Sequence, residues 1–140
     1  MPQAPACSTR ALYVSVALVA LAGSVMTALA AEGSFPFDQE LLLDVAPMHD
    51  SKRVPMLEVE SNGTASINLW CASGQGHVAL DGPSITIIPH TMSAQPCAPD
   101  RAARDSALLD SLSQVTTWRR EGDAVVLIGP QTFRYFPASN

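Results

Sequence analysis

The sequence predicts an α+β domain dominated by strands: a small antiparallel, barrel-like sheet of about eight short strands with one packed helix. Three observations predict it. Short apolar runs alternate with polar residues, tight-turn dipeptides separate the runs, and one stretch has helical apolar spacing. The turn dipeptides are Asn62-Gly63, Asp81-Gly82 and Gly122-Asp123.

Five strands are expected before the helix. The run 54–60 alternates Leu57 and Val59 with two glutamates, which is typical of a strand with one solvent-facing side. The Asn62-Gly63 turn would join this strand to the next as a hairpin. Prolines between Pro89 and Pro99 predict an irregular loop after the fifth strand. The five predicted strands cover 40–45, 54–60, 65–71, 77–80 and 84–88.

The stretch from Asp100 to Ser113 predicts the helix. Leu108, Leu112 and Val115 follow the spacing i, i+4, i+7, so one apolar face would lie across the sheet. Asp100 fits an N-cap or a first-turn acid. Three further strands are expected over 114–119, 124–128 and 132–136.

The N-terminus predicts a cleavable export signal. No charged residue occurs between Arg10 and Glu32, and Ala28 and Ala30 provide small residues for cleavage before Ala31. The 21 residues from 11 to 31 are also long enough to span a bilayer, so a retained anchor is the alternative. The richness in Ala, Ser and Gly favours cleavage. The predicted division is 1–30 signal peptide, 31–39 flexible lead-in and 40–137 folded domain.

Charge limits the possible partners. Loss of the signal removes one of the eight Lys and Arg and none of the 13 Asp and Glu, which leaves a formal charge of −6. An acidic domain of this kind disfavours nucleic-acid binding, and no basic amphipathic stretch suggests an anionic membrane surface. We expect a periplasmic or secreted monomer, exported through the general secretory route. Membrane contact is expected only through an uncleaved signal.

Two cysteines remain in the mature chain, because Cys7 leaves with the signal. An even count in an oxidising compartment predicts a disulfide between Cys71 and Cys97. The alternatives are a metal site with His77 and His90, or a thiol nucleophile. The spacing fits no compact zinc pattern, and Ser73 lacks the flanking glycines of a nucleophile elbow. We therefore expect no metal, no cofactor and no catalytic residue.

Five residues are candidates for an interaction surface. Period-two alternation places Asn68 and Trp70 on the opposite side of their strand from Ile67 and Leu69. An outward Trp70 would be a binding anchor, whereas a Trp70 covered by the helix would belong to the core; we favour the covered position. A small basic spot of Arg119, Arg120 and Arg134 completes the set, with an ordinary solvated face as the alternative.

Several motifs resemble the META domain family, the HslJ-like exported and envelope proteins. Cys71 stands at the family's first cysteine, Gly76 at a glycine five residues beyond it, and Ser93 to Cys97 at its Thr-x-x-x-Cys motif with Ser for Thr. The stretch from Leu112 to Leu127 is similar to the family's helix end and final hairpin. Trp70 and Ala72 depart from the pattern, since the family has Gly and Asn there.

The resemblance implies a small antiparallel sheet with one helix, no known cofactor, no demonstrated catalysis and an association with envelope stress. We therefore expect a non-enzymatic exported domain that supports envelope integrity or a stress response by binding an unknown envelope protein or small ligand. The alternative is a protein inhibitor of an envelope or extracellular hydrolase, as lysozyme inhibitors are. A thiol or metal enzyme is the third possibility.

Overall fold

The computed structural model describes residues 33–49 and 51–139, and these residues form eight strands and one helix. The expected α+β class and the order of five strands, one helix and three strands are confirmed. The predicted signal peptide, with Ala28, Ala30 and Ala31, lies outside the described residues. The elements are β1 (Glu40–Leu43), β2 (Met56–Val59), β3 (Thr64–Asn68), β4 (Ala72–Asp81), β5 (Ser84–Ala94), α1 (Pro99–Leu112), β6 (Thr117–Glu121), β7 (Ala124–Ile128) and β8 (Thr132–Pro137).

The strands form a closed antiparallel sheet in which each strand pairs with the next and β8 pairs with β1. The junction between β5 and β6 is the least continuous one. Ser84 and Thr117 are the register partners there, whereas β4 and β5 pair along nearly their whole length. The helix α1 lies in the chain between these two strands.

The core fills the inside of the closed sheet. Alternation along each strand sends one set of aliphatic side chains inward, and Tyr135 of β8 is buried among them. Burial raises the pKa of the Tyr135 hydroxyl well above its ordinary value because the charged form loses its hydration. The strand core includes Leu41, Leu57, Val59, Ile67, Ile85, Ile87, Val125 and Leu127.

The turn dipeptides behave largely as their residues predict. Gly63, Gly82 and Gly122 all have positive φ, which glycine adopts without a steric penalty. In the first turn Asn62 contributes its side chain instead, since its Oδ1 accepts a hydrogen bond from the Thr64 N–H at 2.7 Å. Gly76, at the position that resembles the family's glycine, is needed for packing: a Cβ there would lie 2.7 Å from the Ile88 carbonyl oxygen.

The expected loop from Pro89 to Pro99 is wrong in its first half. Strand β5 continues through Pro89 to Ala94, because the register of β4 against β5 shifts between Gly74 and Gly76. Such an irregularity accommodates a residue that cannot donate to the ladder. Only residues 95–98 then connect β5 to α1, which begins at Pro99 with Asp100 as an acid in its first turn.

The segment expected as a lead-in over 31–39 contacts the domain from Ser34 onward. Phe35 is 5% exposed and belongs to the core, where its ring meets the Trp118 indole edge-on with 5.1 Å between the centroids. The Arg120 guanidinium donates to the Ser34 carbonyl oxygen at 3.1 Å. Phe35 therefore extends the hydrophobic core on the side of the sheet that β6 forms.

This packing predicts a large cost for Phe35→Ala. We expect the free energy of unfolding to fall by about 3 kcal/mol, since the change leaves a cavity against Trp118. Phe37→Ala is the matched control: Phe37 is 39% exposed, and its loss should cost about 1 kcal/mol through the contact between the two phenylalanine rings. Urea denaturation of the two variants measures the difference, and equal losses would contradict the placement of Phe35 in the core.

Candidate functional site

A buried carboxylate joins the helix to the turn between β3 and β4. Asp105 of α1 is 5% exposed, and its Oδ1 accepts the Trp70 N–H at 2.8 Å. Its Oδ2 accepts the N–H groups of Cys71 and Ala72 at 2.8 and 2.7 Å. Three consecutive backbone N–H donors are thereby satisfied by one side chain.

The chain reverses sharply at this point. Strand β3 ends at Asn68, and the Leu69 N–H donates to the Ala72 carbonyl oxygen at 2.7 Å to close the turn. The predicted disulfide between Cys71 and Cys97 is present, with 6.1 Å between the Cα atoms. The disulfide and Asp105 thus hold the same turn from two sides, one through the connection before α1 and the other through the middle of α1.

Trp70 is buried at this turn, with 9% of its surface exposed. Alternation fails to place it on the outer face because the strand has already ended at Asn68. The Trp70 indole N–H has no hydrogen-bond partner among the described residues, whereas its backbone N–H is bound to Asp105. The favoured position of Trp70, in the core, agrees with this burial.

The three arginines do not form one basic spot. Glu121 accepts a hydrogen bond from Arg119 Nε at 2.7 Å and pairs with Arg134 as well. Arg120 belongs to the other face of β6, because consecutive residues of a strand point to opposite faces, and it donates to the Ser34 and Gly122 carbonyl oxygens. The hydrogen bonds from Arg119 and then Arg134 hold the pKa of Glu121 below its ordinary value.

Asn68 lies apart from these arginines, in a row that crosses several strands. The row runs through the register partners Phe136, Leu42, Met56, Asn68 and Ser73. Leu42 and Phe136 are 36% and 39% exposed, so this row forms an apolar patch on the outer surface of the sheet. An open groove of about 510 Å³ lies beside it, lined by Phe37, Asp38, Gln39, Glu40, Glu58 and Ala138.

Three of the residues considered for catalysis or metal binding have structural contacts: Cys71, Cys97 and His77. Cys71 and Cys97 are joined to each other, and His77 covers the turn at Gly63, where an added Cβ would meet its ring at 2.8 Å. No three metal-ligating side chains come together within 33–49 and 51–139. The same ranges contain no helix with the length and apolar character of a membrane span.

The chain is a small closed antiparallel sheet with one helix, tied by a disulfide and a buried acid. The chain belongs to the META domain family, whose model matches residues 20–139. The resemblance found in the sequence is therefore confirmed.

Solved structures share the fold. The NMR structure of a protein from Burkholderia xenovorans matches with a TM-score of 0.57 and 17% identity, over 74% of this chain and 84% of that one. A second NMR structure matches with a TM-score of 0.52 and 17% identity, over 70% and 87% of the two chains. No curated protein matches the chain in sequence.

Asp105 was not among the candidates from sequence, although a signal for it exists. It precedes Leu108 by three residues and Leu112 by seven, which places an acid on the apolar face of the helix. An acid on such a face must be paired with donors, since burial of an unpaired charge is costly.

We expect Asp105→Asn to lower the free energy of unfolding by about 3 kcal/mol, because one carboxylate oxygen becomes an NH2 group, which cannot accept a hydrogen bond from the backbone N–H that faces it. Asp110→Asn, at an exposed position of the same helix, should change it by less than about 0.5 kcal/mol. Urea unfolding with the disulfide intact measures both. Similar values for the two variants would refute the bracing role of Asp105.

The ion pairs of Glu121 predict a pH-dependent contribution. A carboxyl whose pKa is lowered on folding stabilises the fold above its unfolded pKa, and this contribution disappears as the pH falls through the folded value. Glu121→Gln should therefore lower the melting temperature at pH 7, and the difference from wild type should shrink as the pH falls below 4.5, the ordinary value for Glu. Asp123→Asn, in the adjacent turn, is the control. A difference in melting temperature that stays the same at low pH would contradict a stabilising contribution from the charge of Glu121.

Proposed function

We propose that this META domain protein is exported and supports envelope integrity or a stress response by binding another envelope component. The observation that carries the proposal is the Cys71–Cys97 disulfide, which fixes the turn that Asp105 also holds. A structural disulfide of this kind persists in oxidising compartments and is rare in a reducing cytoplasm. The uncharged N-terminal run with Ala28 and Ala30 supports the same compartment.

Binding without catalysis fits the distribution of polar groups. The described histidines are spread over separate loops and strands, and both cysteines of the domain are committed to the disulfide. The outer surface offers an apolar row beside an acidic groove, which suits recognition of a partner. A rigid closed sheet holds such a surface with little loss of conformational entropy on binding.

Export predicts two properties of protein recovered from the periplasm. Its intact mass should correspond to a chain that begins at Ala31, and peptide mapping without reductant should join Cys71 to Cys97. A cytosolic version that lacks residues 1–30 is the control, and it should contain free thiols. A membrane-embedded product that retains residues 1–30, or free thiols in periplasmic material, would contradict the proposal.

The envelope role is tested by complementation. Cells without the protein should be more sensitive to detergent, and the full chain should restore resistance whereas the version without residues 1–30 should not. In-cell crosslinking followed by mass spectrometry then identifies the envelope component. Equal rescue by both versions would show that the protein acts without export, and it would contradict the proposal.

An inhibitor of an envelope or extracellular hydrolase is the second candidate. Small disulfide-closed sheets suit this role, and an acidic surface favours a basic enzyme by electrostatic attraction. Titration of the purified protein against lysozymes, with lysis of bacterial cell walls as the readout, separates the two candidates. Stoichiometric inhibition would support the inhibitor, and unchanged lysis at excess protein would exclude lysozyme as the target.

A further inference from the structure

The outer face of β8, β1 and β2 combines two kinds of surface in adjacent rows. In one row Leu42 lies between its register partners Phe136 and Met56. In the other row, two residues away along β1, Glu40 lies directly opposite Glu58 of β2. On the other side of Glu40, the Ala138 N–H donates to the Glu40 carbonyl oxygen at 2.9 Å. The two rows are about 7 Å apart, the advance of two residues in an extended strand.

The glutamate pair is unfavourable in the isolated protein. Like charges directly opposite each other in an antiparallel sheet repel, and neither carboxylate has a hydrogen-bond or ion-pair partner among the described residues. Glu121 shows that the chain does pair an outer glutamate elsewhere, with Arg119 and Arg134. The repulsion would be relieved by a cation supplied from outside.

The surroundings of the pair favour a cationic group carried by a protein segment. The groove of about 510 Å³ that both glutamates line is also lined by Phe37. The neighbouring apolar row offers a place for a large apolar side chain of the same segment. Arg134 beside this row is already paired with Glu121, so it does not neutralise Glu40 or Glu58.

We propose that this face binds an extended segment of a partner protein in which a Lys or Arg is followed two residues later by a large apolar residue. The basic side chain lies between Glu40 and Glu58, and the apolar side chain lies on Leu42 and Phe136. The spacing of i, i+2 in an extended peptide matches the distance between the two rows. The inference deepens the proposed binding function by naming the chemistry of the partner.

The probe is a fluorescein-labelled peptide of three Arg-Gly-Leu-Gly repeats, titrated into periplasmically purified protein and followed by fluorescence anisotropy. Glu40→Gln with Glu58→Gln should weaken binding at least fivefold and raise the melting temperature by about 1 to 4 °C as the repulsion disappears. Asp81→Asn with Asp110→Asn removes the same charge from exposed positions elsewhere and should leave both quantities unchanged. Equal weakening by the two double variants would mean attraction by net charge alone and would overturn the proposal.

The apolar half of the site has its own test. Phe136→Ala should weaken the Arg-Gly-Leu-Gly peptide severalfold but should leave a peptide of Arg-Gly-Ser-Gly repeats unaffected, because only the first peptide has a side chain for this row. Equal effects on both peptides would overturn the proposal, as would tighter binding to phosphatidylcholine vesicles or concentration-dependent dimerisation that blocks the peptide. The peptide is measured in vitro and export in cells, so this inference and the proposed function fail independently.

Discussion

The carboxylate of Asp105 is the interaction on which the arrangement of this domain depends. The sheet is least continuous between β5 and β6, and the connection between these strands consists mainly of α1. A helix that connects two such strands needs an anchor that fixes both its position and its rotation. Three hydrogen bonds from consecutive backbone N–H groups provide this anchor, because they can be formed together in one orientation of the carboxylate.

The disulfide complements this anchor. Cys97 ties the connection just before α1 to Cys71, while Asp105 ties the middle of α1 to the same turn. The disulfide lowers the conformational entropy of the unfolded chain, and the Asp105 carboxylate fixes the orientation of α1 in the folded one. Trp70 is buried as a consequence, since the turn that carries it is held against the helix from both sides.

Local patterns in the sequence were sufficient for the element order, because alternation, turn dipeptides and helical spacing act within a few residues. The turn glycines and the two remaining cysteines were correctly interpreted for the same reason. Phe35, Asp105 and the continuation of β5 through Pro89 were missed, since each depends on contacts between distant parts of the chain. Trp70 shows the limit clearly: its orientation followed from where β3 ends, and no period within the strand reveals that point.

The acidic residues of this protein differ in whether the fold gives them partners. Asp105 is buried and fully paired with backbone donors, and Glu121 is partly exposed and paired with two arginines. Both placements reduce the free energy of the folded chain. Glu40 and Glu58 face each other without partners, which raises it. A positive charge supplied from outside the chain would remove this repulsion. The position of the pair beside the exposed apolar row makes a basic protein segment the ligand that fits both surfaces together.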